Sequence, residues 1–463
     1  MRSPKRSPGS FEAAAAKGRS ISHMAELVYD KDGRLLFTQE MKREYTLLMP
    51  QMLPVHFGMF QKMLQMEGYK VDMLMTRHHA IVEEGQKYVH NDTCYPALLV
   101  IGQLIDAVKN GGYDPHKVAL LITQTGGGCR ASNYIHLLRK ALHKAGYDYI
   151  PVISVSFGVE KNPGFKLSLS LIRKLAYAML YGDVIVNLAN QVRPYEVNAG
   201  AADAMTERWE NELVESFGKG RRMRFPQFVK TIKEIVADFE SIPVRQEEKI
   251  KVGVVGEIYV KFSPLGNNNL EQFLLSEGCE VIVPGLTDFI IFKIFNRITD
   301  IELYGGSKAK YVACKALMEY VVRRQNVMID IIGKSRFRAP THFEEIHKSV
   351  HEYLGDGNKM GEGWLLTGEM LELIHDGVPN IVCTQPFGCL PNHIVGKGMI
   401  RPLKDDYPDS NIVAIDYDPS ATAINQENRI KLMLANARQK MKRQRAASAA
   451  AQQEETKAAE TVR

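Results

Sequence analysis

Only six of the 463 residues are cysteine. That is too few for a disulfide framework, so the thiols read as reduced side chains or metal ligands in a reducing compartment, consistent with a cytoplasmic protein. No apolar run approaches the ~20 residues of a membrane span, and no signal-type segment opens the chain. Paired C-x₂-C knuckles are missing, which removes the commonest zinc pattern. An excess of one charge is confined to the ends. The net charge of +6 divides into +4 over residues 1–22, +6 over residues 429–463 and −4 over the remainder, which has 45 basic and 49 acidic side chains. Nucleic-acid binding needs a basic face on the folded body, so no nucleic acid is expected as a partner. What is present is ordinary for a globular protein: 45% hydrophobic and 24% charged residues. The length exceeds the roughly 250–300 residues one core supports, so more than one compact unit is expected.

The first 22 residues, rich in Ser, Pro and Ala, have no apolar period and read as a disordered leader within a linker over 1–43. Their Arg/Ser-rich, acid-poor character also fits an organelle transit peptide. From Tyr45 onward, short β-rich runs alternate with helical patterns, the signature of an α/β fold with mostly parallel sheets. YTLLMP, KVDMLM, KVALLITQT and PVISVSF read as strands of a first Rossmann- or flavodoxin-like domain over 44–200. Residues 201–248 read as a charged helical bridge. KIKVGVVGEIYV, EVIVPG, PNIVCTQ and NIVAIDY then supply strands of a second such domain over 249–438. A low-complexity basic tail, or a fraying helix, is expected over 439–463. No internal repeat is visible.

The cysteines carry the chemical signal. Cys94 lies in NDTCYP, Cys129 in TGGGCRASNY and Cys389 in QPFGCLPNH, each directly before an expected helix. Pro96 and Pro391 stand where helix-opening prolines belong, and Ser132 and Asn133 are polar in the first turn of the third helix. Cys129 and Cys389 also follow expected parallel strands, on the sheet edge where open α/β folds bind ligands. A helix N-terminus favours a thiolate, because its free N–H groups and dipole stabilise negative charge. Three thiolates converging there would suit an anionic iron–sulfur cluster, with N–H groups bonding the sulfides. Gly126, Gly127 and Gly128 let the backbone approach such an object closely and could form an anion nest. Against this, isolated cysteines are often small buried hydrophobes, and the three are 35 and 260 residues apart. Cys279 and Cys314 read as core residues. Cys383, on a strand six positions before Cys389, points either into the site or into the core.

Other signals are weaker. The glycine run matches neither G-x-G-x-x-G nor G-x-x-x-x-G-K-[ST]. His347 and His351 have the i, i+4 spacing of helical metal ligands but lack the glutamate of H-E-x-x-H. The basic run Lys219–Arg224, with Phe225 and Phe228, is either a solvated turn or a grip on RNA or an acyl-CoA phosphate. Asn91, Gln124, Arg130, Asn133 and Asn392 lie near the cysteines and could bond sulfides or a substrate carbonyl. Glu257, Arg193 and Glu196 are undecided, either pair being able to join two domains.

KYVHNDTCYPALLVIGQLIDAV, LLITQTGGGCRASNYIHLLRKAL, VRPYEVNAGAAD, VGVVGEIYVKFSPLGNNNLEQFL and NIVCTQPFGCLPNHIVGKGM together resemble the C-terminal region of the large acyl-CoA dehydratase activase proteins. That region is similar to 2-hydroxyacyl-CoA dehydratase subunits and to double-cubane-cluster proteins, and the resemblance spans about residues 44–438. It implies two Rossmann-like domains holding an iron–sulfur cluster between them. Cys94, Cys129 and Cys389 match the family's motif cysteines, with Cys383 a possible additional ligand. Large activases begin with actin-like ATPase domains, whose D-x-G-[ST] phosphate loop does not occur here. An ATPase would therefore come from a separate partner chain. A double cubane needs more than three thiolates, so a single [4Fe–4S] cluster with one distinct iron is the preferred species. Its fourth position would take Cys383, water or a substrate atom.

Three functions follow as expectations. The first is an iron–sulfur protein for ATP-driven, low-potential electron transfer. The second is a dehydratase-type lyase that removes water from a 2-hydroxyacyl-CoA. The third is a cluster-free scaffold or interaction protein, and a homo-oligomer is compatible with any of them.

Overall fold

A computed structural model describes residues 25–90, 92–123, 128–155 and 162–461, with side chains described up to residue 448. Two lobes each carry one parallel sheet. In the first, β1 (Thr46–Pro50), β2 (Lys70–Leu74), β3 (Val118–Thr123) and β4 (Val152–Val155) lie in the order β2-β1-β3-β4. In the second, β5 (Ile250–Gly256), β6 (Cys279–Ile282), β7 (Asn380–Pro386) and β8 (Asn411–Tyr417) lie in the order β6-β5-β7-β8. All six pairings are parallel. The fold is thus mixed α/β, with two Rossmann- or flavodoxin-like halves of one topology. Central strands such as VALLIT and NIVCTQP are buried along almost their whole length because helices cover both faces.

This topology positions the site. The chain passes outward from β1 to β2, then returns to β3 on the other side of β1, and the second lobe repeats the move with β5, β6 and β7. In open α/β sheets ligands bind at the carboxyl ends of the strands, where the winding reverses. Helices in such units run back against the strands, so their N-termini gather on the same edge.

The segments outside the sheets depart from expectation. Residues 1–24 lie outside the described residues, but the linker reading fails over 25–43. There Thr38 caps helix Gln39–Glu44, and Phe37 and Met41 are fully buried. Helices Ala201–Gly218 and Phe225–Glu240 are packed in place, and the second also lies against helix Lys308–Ile332, which falls between β6 and β7. They bury Trp209, Phe217 and Phe228 against helices Pro54–Met66 and Leu169–Val192, adding a layer to the first lobe. The terminal helix runs unbroken over Ala423–Thr461, and Lys440 and Arg445 pair with Asp409 and Glu248. The strand expected over KIKVGVVGEIYV stops at Gly256, where Glu257 caps the short helix Ile258–Phe262 through the Val260 N–H at 2.9 Å.

The lobes share one core. Leu47 and Val184 of the first belong to the same buried cluster as Val255, Phe292 and Trp364 of the second. Polar contacts fasten the seam. Asp183 accepts from the Leu286 and Thr287 N–H groups (3.0 and 2.7 Å) and lies 2.9 Å from His56 Nε2. It therefore satisfies donors at the start of helix Leu286–Tyr304 that would otherwise be orphaned. A cavity of about 300 Å³ at this seam is lined by His56, Asp183, Asp288, Gln325, Arg338 and Glu372 among others, and none of the six cysteines reaches it. Among the described residues no helix is long and apolar enough to cross a membrane.

Candidate functional site

Three cysteines from distant parts of the chain meet at the carboxyl edge of the sheets. Cys94 is the N-cap of helix Tyr95–Asn110, which begins on that edge because it leads into β3. Cys129 follows β3 and caps a single 3₁₀ turn, Arg130–Asn133, continued by helix Tyr134–Ala145. Cys389 follows β7 and opens a short irregular helical stretch at Leu390. Backbone contacts bring the three segments together. The Tyr95 N–H donates to the Phe387 carbonyl at 2.9 Å, tying the Cys94 helix to the Cys389 loop across the lobes. Gly388 has φ of +69°, and a Cβ there would stand 3.1 Å from the Cys94 Cα. Gly361 has φ of +60°, and its Cβ would stand 2.9 Å from the Pro391 Cγ and 4.0 Å from the Cys129 Cβ. Both positions require a residue that tolerates the left-handed region and offers no side chain.

Polar groups surround the sulfurs. The Tyr134 hydroxyl lies 3.0 Å from Cys94 Sγ. Glu257 and Glu362 act electrostatically on Cys389 and Cys129. Glu362 also accepts from the Ile258 N–H at 3.2 Å, so both carboxyls cluster at the start of one short helix. Lys293 donates to the Gly361 carbonyl at 2.6 Å. Met360 packs against Gly128, closing the wall beside Cys129.

The expectation that helix starts would favour thiolates is corrected by burial. Desolvation pushes Cys94 up to about 11 and also raises Cys129 and Cys389, the last further through Glu362 and Glu257. The N–H groups of Ala97, Ala131 and Asn392 pull the other way but are outweighed. Burial together with the Glu362 carboxylate pushes Glu257 up to about 8. Without metal, burial therefore favours neutral thiols and shifts Glu257 toward its protonated form.

The remaining sequence candidates scatter. Cys383 is completely buried, near Asn392 Oδ1 (3.8 Å) and Gly396, and it packs in the hydrophobic core. Burial pushes it up to about 12, and the charges acting on it are Glu369, Asp416 and Lys397, not those around the other three thiols. It is not brought to them. Asn392 donates to the Thr384 carbonyl at 2.8 Å inside the fold, and Arg130 and Asn133 are exposed. Gly126, Gly127, Asn91 and Gln124 lie outside the described residues. Cys279 is buried as expected, whereas Cys314 is only partly buried on helix Lys308–Ile332. Arg193 pairs with Asp203, Glu196 accepts from the Gly200 and Ala202 N–H groups, and Arg222 pairs with Glu212 and Glu234. Glu362 was missed altogether. Its only sequence signal is GEGW, a glycine-flanked acid with no strand before it.

Zn–S bonds of ~2.3 Å place the sulfurs of a mononuclear centre about 3.8 Å apart, and among the described residues Cys94, Cys129 and Cys389 are not a set of ligand atoms all within 4.8 Å of one another. Thiol ligands, low exposure, helix-start N–H groups and close backbone approach are the surroundings an iron–sulfur cluster uses. No protein-family model matches the chain, and no curated protein matches it.

Proposed function

We propose that this chain is an iron–sulfur protein serving ATP-driven, low-potential electron transfer, with Cys94, Cys129 and Cys389 as ligands and the ATPase on a partner chain. The observation that carries this reading is the meeting of three thiols, Cys94 and Cys389 buried and Cys129 partly buried, each at a helix start, near the carboxyl ends of both sheets. The motif resemblance names the partner class, an actin-like-fold ATPase. A bound [4Fe–4S] cluster supplies one-electron transfer. The chain's own residues do the rest. Three cysteines bind, and burial keeps water away. The Tyr134 hydroxyl donates toward Cys94 once that sulfur is a thiolate. With Cys383 turned into the core, the fourth position is left to water or a substrate atom.

One observation favours the dehydratase-type reading as second. Burial and the neighbouring Glu362 shift Glu257 toward its protonated form beside the thiols, the direction that protonation of a departing hydroxyl would require.

Anaerobic reconstitution with iron and sulfide, read by metal analysis and EPR, tests the assignment. Wild type is expected to hold about four irons. Cys129→Ser and Cys389→Ser should each lose cluster iron, while Cys383→Ser and Cys314→Ser keep it. A colourless wild-type protein without iron or acid-labile sulfide would return the chain to a scaffold. Turnover of a 2-hydroxyacyl-CoA with an activase and reductant separates the two chemical readings.

A further inference from the structure

A second metal-ligand set lies on the surface, away from the cysteines in sequence and different in chemistry. Helix Phe343–Val350 presents His347, and its C-cap residue is His351, one turn on. The chain then turns back and brings Asp356 beneath both rings. His347 Nε2 lies 2.7 Å from Asp356 Oδ1, and His351 Nδ1 lies 3.6 Å from the same oxygen. The three ligand atoms are all within 4.8 Å of one another, and no other group of three His, Cys, Asp or Glu among the described residues is so close. A hydrogen bond accounts for the His347 contact, whereas His351, at 3.6 Å, is beyond hydrogen-bonding range and makes only a long electrostatic contact with the same oxygen. Ligands around a four-coordinate zinc, at bond lengths of ~2.0–2.1 Å, stand roughly 3.3 Å apart. The observed spacings bracket that value, so a shift of a few tenths of an ångström at each contact opens the site.

The surroundings hold the set in place. The His347 ring packs against Phe295 and Trp364, with centroids 4.8 and 5.0 Å away, and lies 5.3 Å from the His351 ring. Its rotamer is therefore fixed by packing. His351 and Asp356 are partly exposed, which leaves the outer coordination position to water.

We infer that His347, His351 and Asp356 form a binding site for a divalent transition metal of the zinc class, with water in the open position. Two imidazole nitrogens and one carboxylate oxygen suit Zn²⁺ and exclude hard, all-oxygen ions such as Ca²⁺. Binding displaces the proton shared by His347 and Asp356, which leaves to solvent. The metal joins the helix to the segment that follows it. That segment continues through Asn358, whose carbonyl accepts from the Trp364 N–H at 2.7 Å, to Met360, Gly361 and Glu362 beside Cys129. The metal thus staples the near end of the strap that walls the thiol site. The site stands on its own three residues, whether or not iron binds the cysteines.

Titration of the full chain with Co²⁺ as probe tests this, with Zn²⁺ as competitor and amide exchange as a second readout. One Co²⁺ should bind with visible ligand-field bands and no sulfur-to-cobalt charge transfer. H351A and D356N, both at partly exposed positions, should each lower affinity by at least ~100-fold, more than loss of a supporting hydrogen bond costs. C314S, outside both sites, should leave that binding unchanged. Zn²⁺ should slow exchange across residues 352–363. Equal Co²⁺ affinity in wild type, H351A and D356N overturns the site, as does wild-type binding no tighter than about 1 mM. Binding without slowed exchange in the strap overturns the stapling.

Discussion

Asp288 offers a direct measure of how burial at the seam between the lobes sets stability. It lies in the first turn of helix Leu286–Tyr304, 2% exposed, and its Oδ1 accepts from Gln325 Nε2 at 2.6 Å. Burial, with the charges of Asp183 and Glu369 adding to it, pushes this carboxyl up to about 7, although Gln325 and Lys261 pull it down. In the unfolded chain it titrates near 3.9. Between those values the unfolded state has lost a proton that the folded state keeps, so stability falls as pH rises from about 4 to about 7. At somewhat over 1 kcal/mol per pH unit the full loss is on the order of 4 kcal/mol, roughly a third of it gone by pH 5. Asp288→Asn keeps the carbonyl that Gln325 needs and removes the titration. Relative to wild type, the variant should gain roughly 2–3 kcal/mol between pH 5 and pH 8, read from denaturant unfolding at both values. A difference between the two proteins that does not change with pH would refute the reasoning.

Lys261 and Glu369 form an ion pair at 2.7 Å, both nearly inaccessible. Lys261→Met should cost about 3–5 kcal/mol by stranding the carboxylate, and Lys261→Met with Glu369→Met should recover most of it; equal losses in denaturant unfolding would contradict this. Gly388→Ala should destabilise by about 1–3 kcal/mol, since the residue has φ of +69° and its Cβ would crowd the Cys94 backbone. Iron retention should fall with it, and an unchanged melting midpoint and iron content would show that the close approach is not needed. Tyr134→Phe should keep the fold and the iron but lower the reduction potential, because a donor to the Cys94 sulfur is lost; a potential equal to wild type in a redox titration would remove Tyr134 from the site. The serine series at Cys129, Cys389, Cys383 and Cys314 completes the set.

Local pattern carried far in this chain. The apolar runs at 46–50, 118–123 and 380–386 are strands because helices on both faces of a parallel sheet demand continuous burial, and that demand is written residue by residue. Cysteines set just before helical periodicity likewise declared themselves as helix starts. Where the reading went astray, a distant partner outweighed the local signal. Residues 25–43 have a weak pattern of their own and are ordered because Phe37 and Met41 find a place in the core. The glutamate in GEIYV looked like part of a strand, yet the chain breaks at Gly256 and turns its carboxyl toward the thiols.

From the amino-acid order alone came the α/β alternation, the two sheets and the three thiols at helix starts, because each depends on periods and caps only a few residues long. The tertiary structure alone decided which thiols share an environment. It set Cys383 apart, brought Glu362 and Tyr134 to the sulfurs, and turned Asp356 under two histidines. Such meetings depend on strand order and on the seam between lobes, which sequence spacing does not encode. The protonation of the site was decided there as well, since desolvation by residues hundreds of positions away outweighs the pull of a helix's own N–H groups.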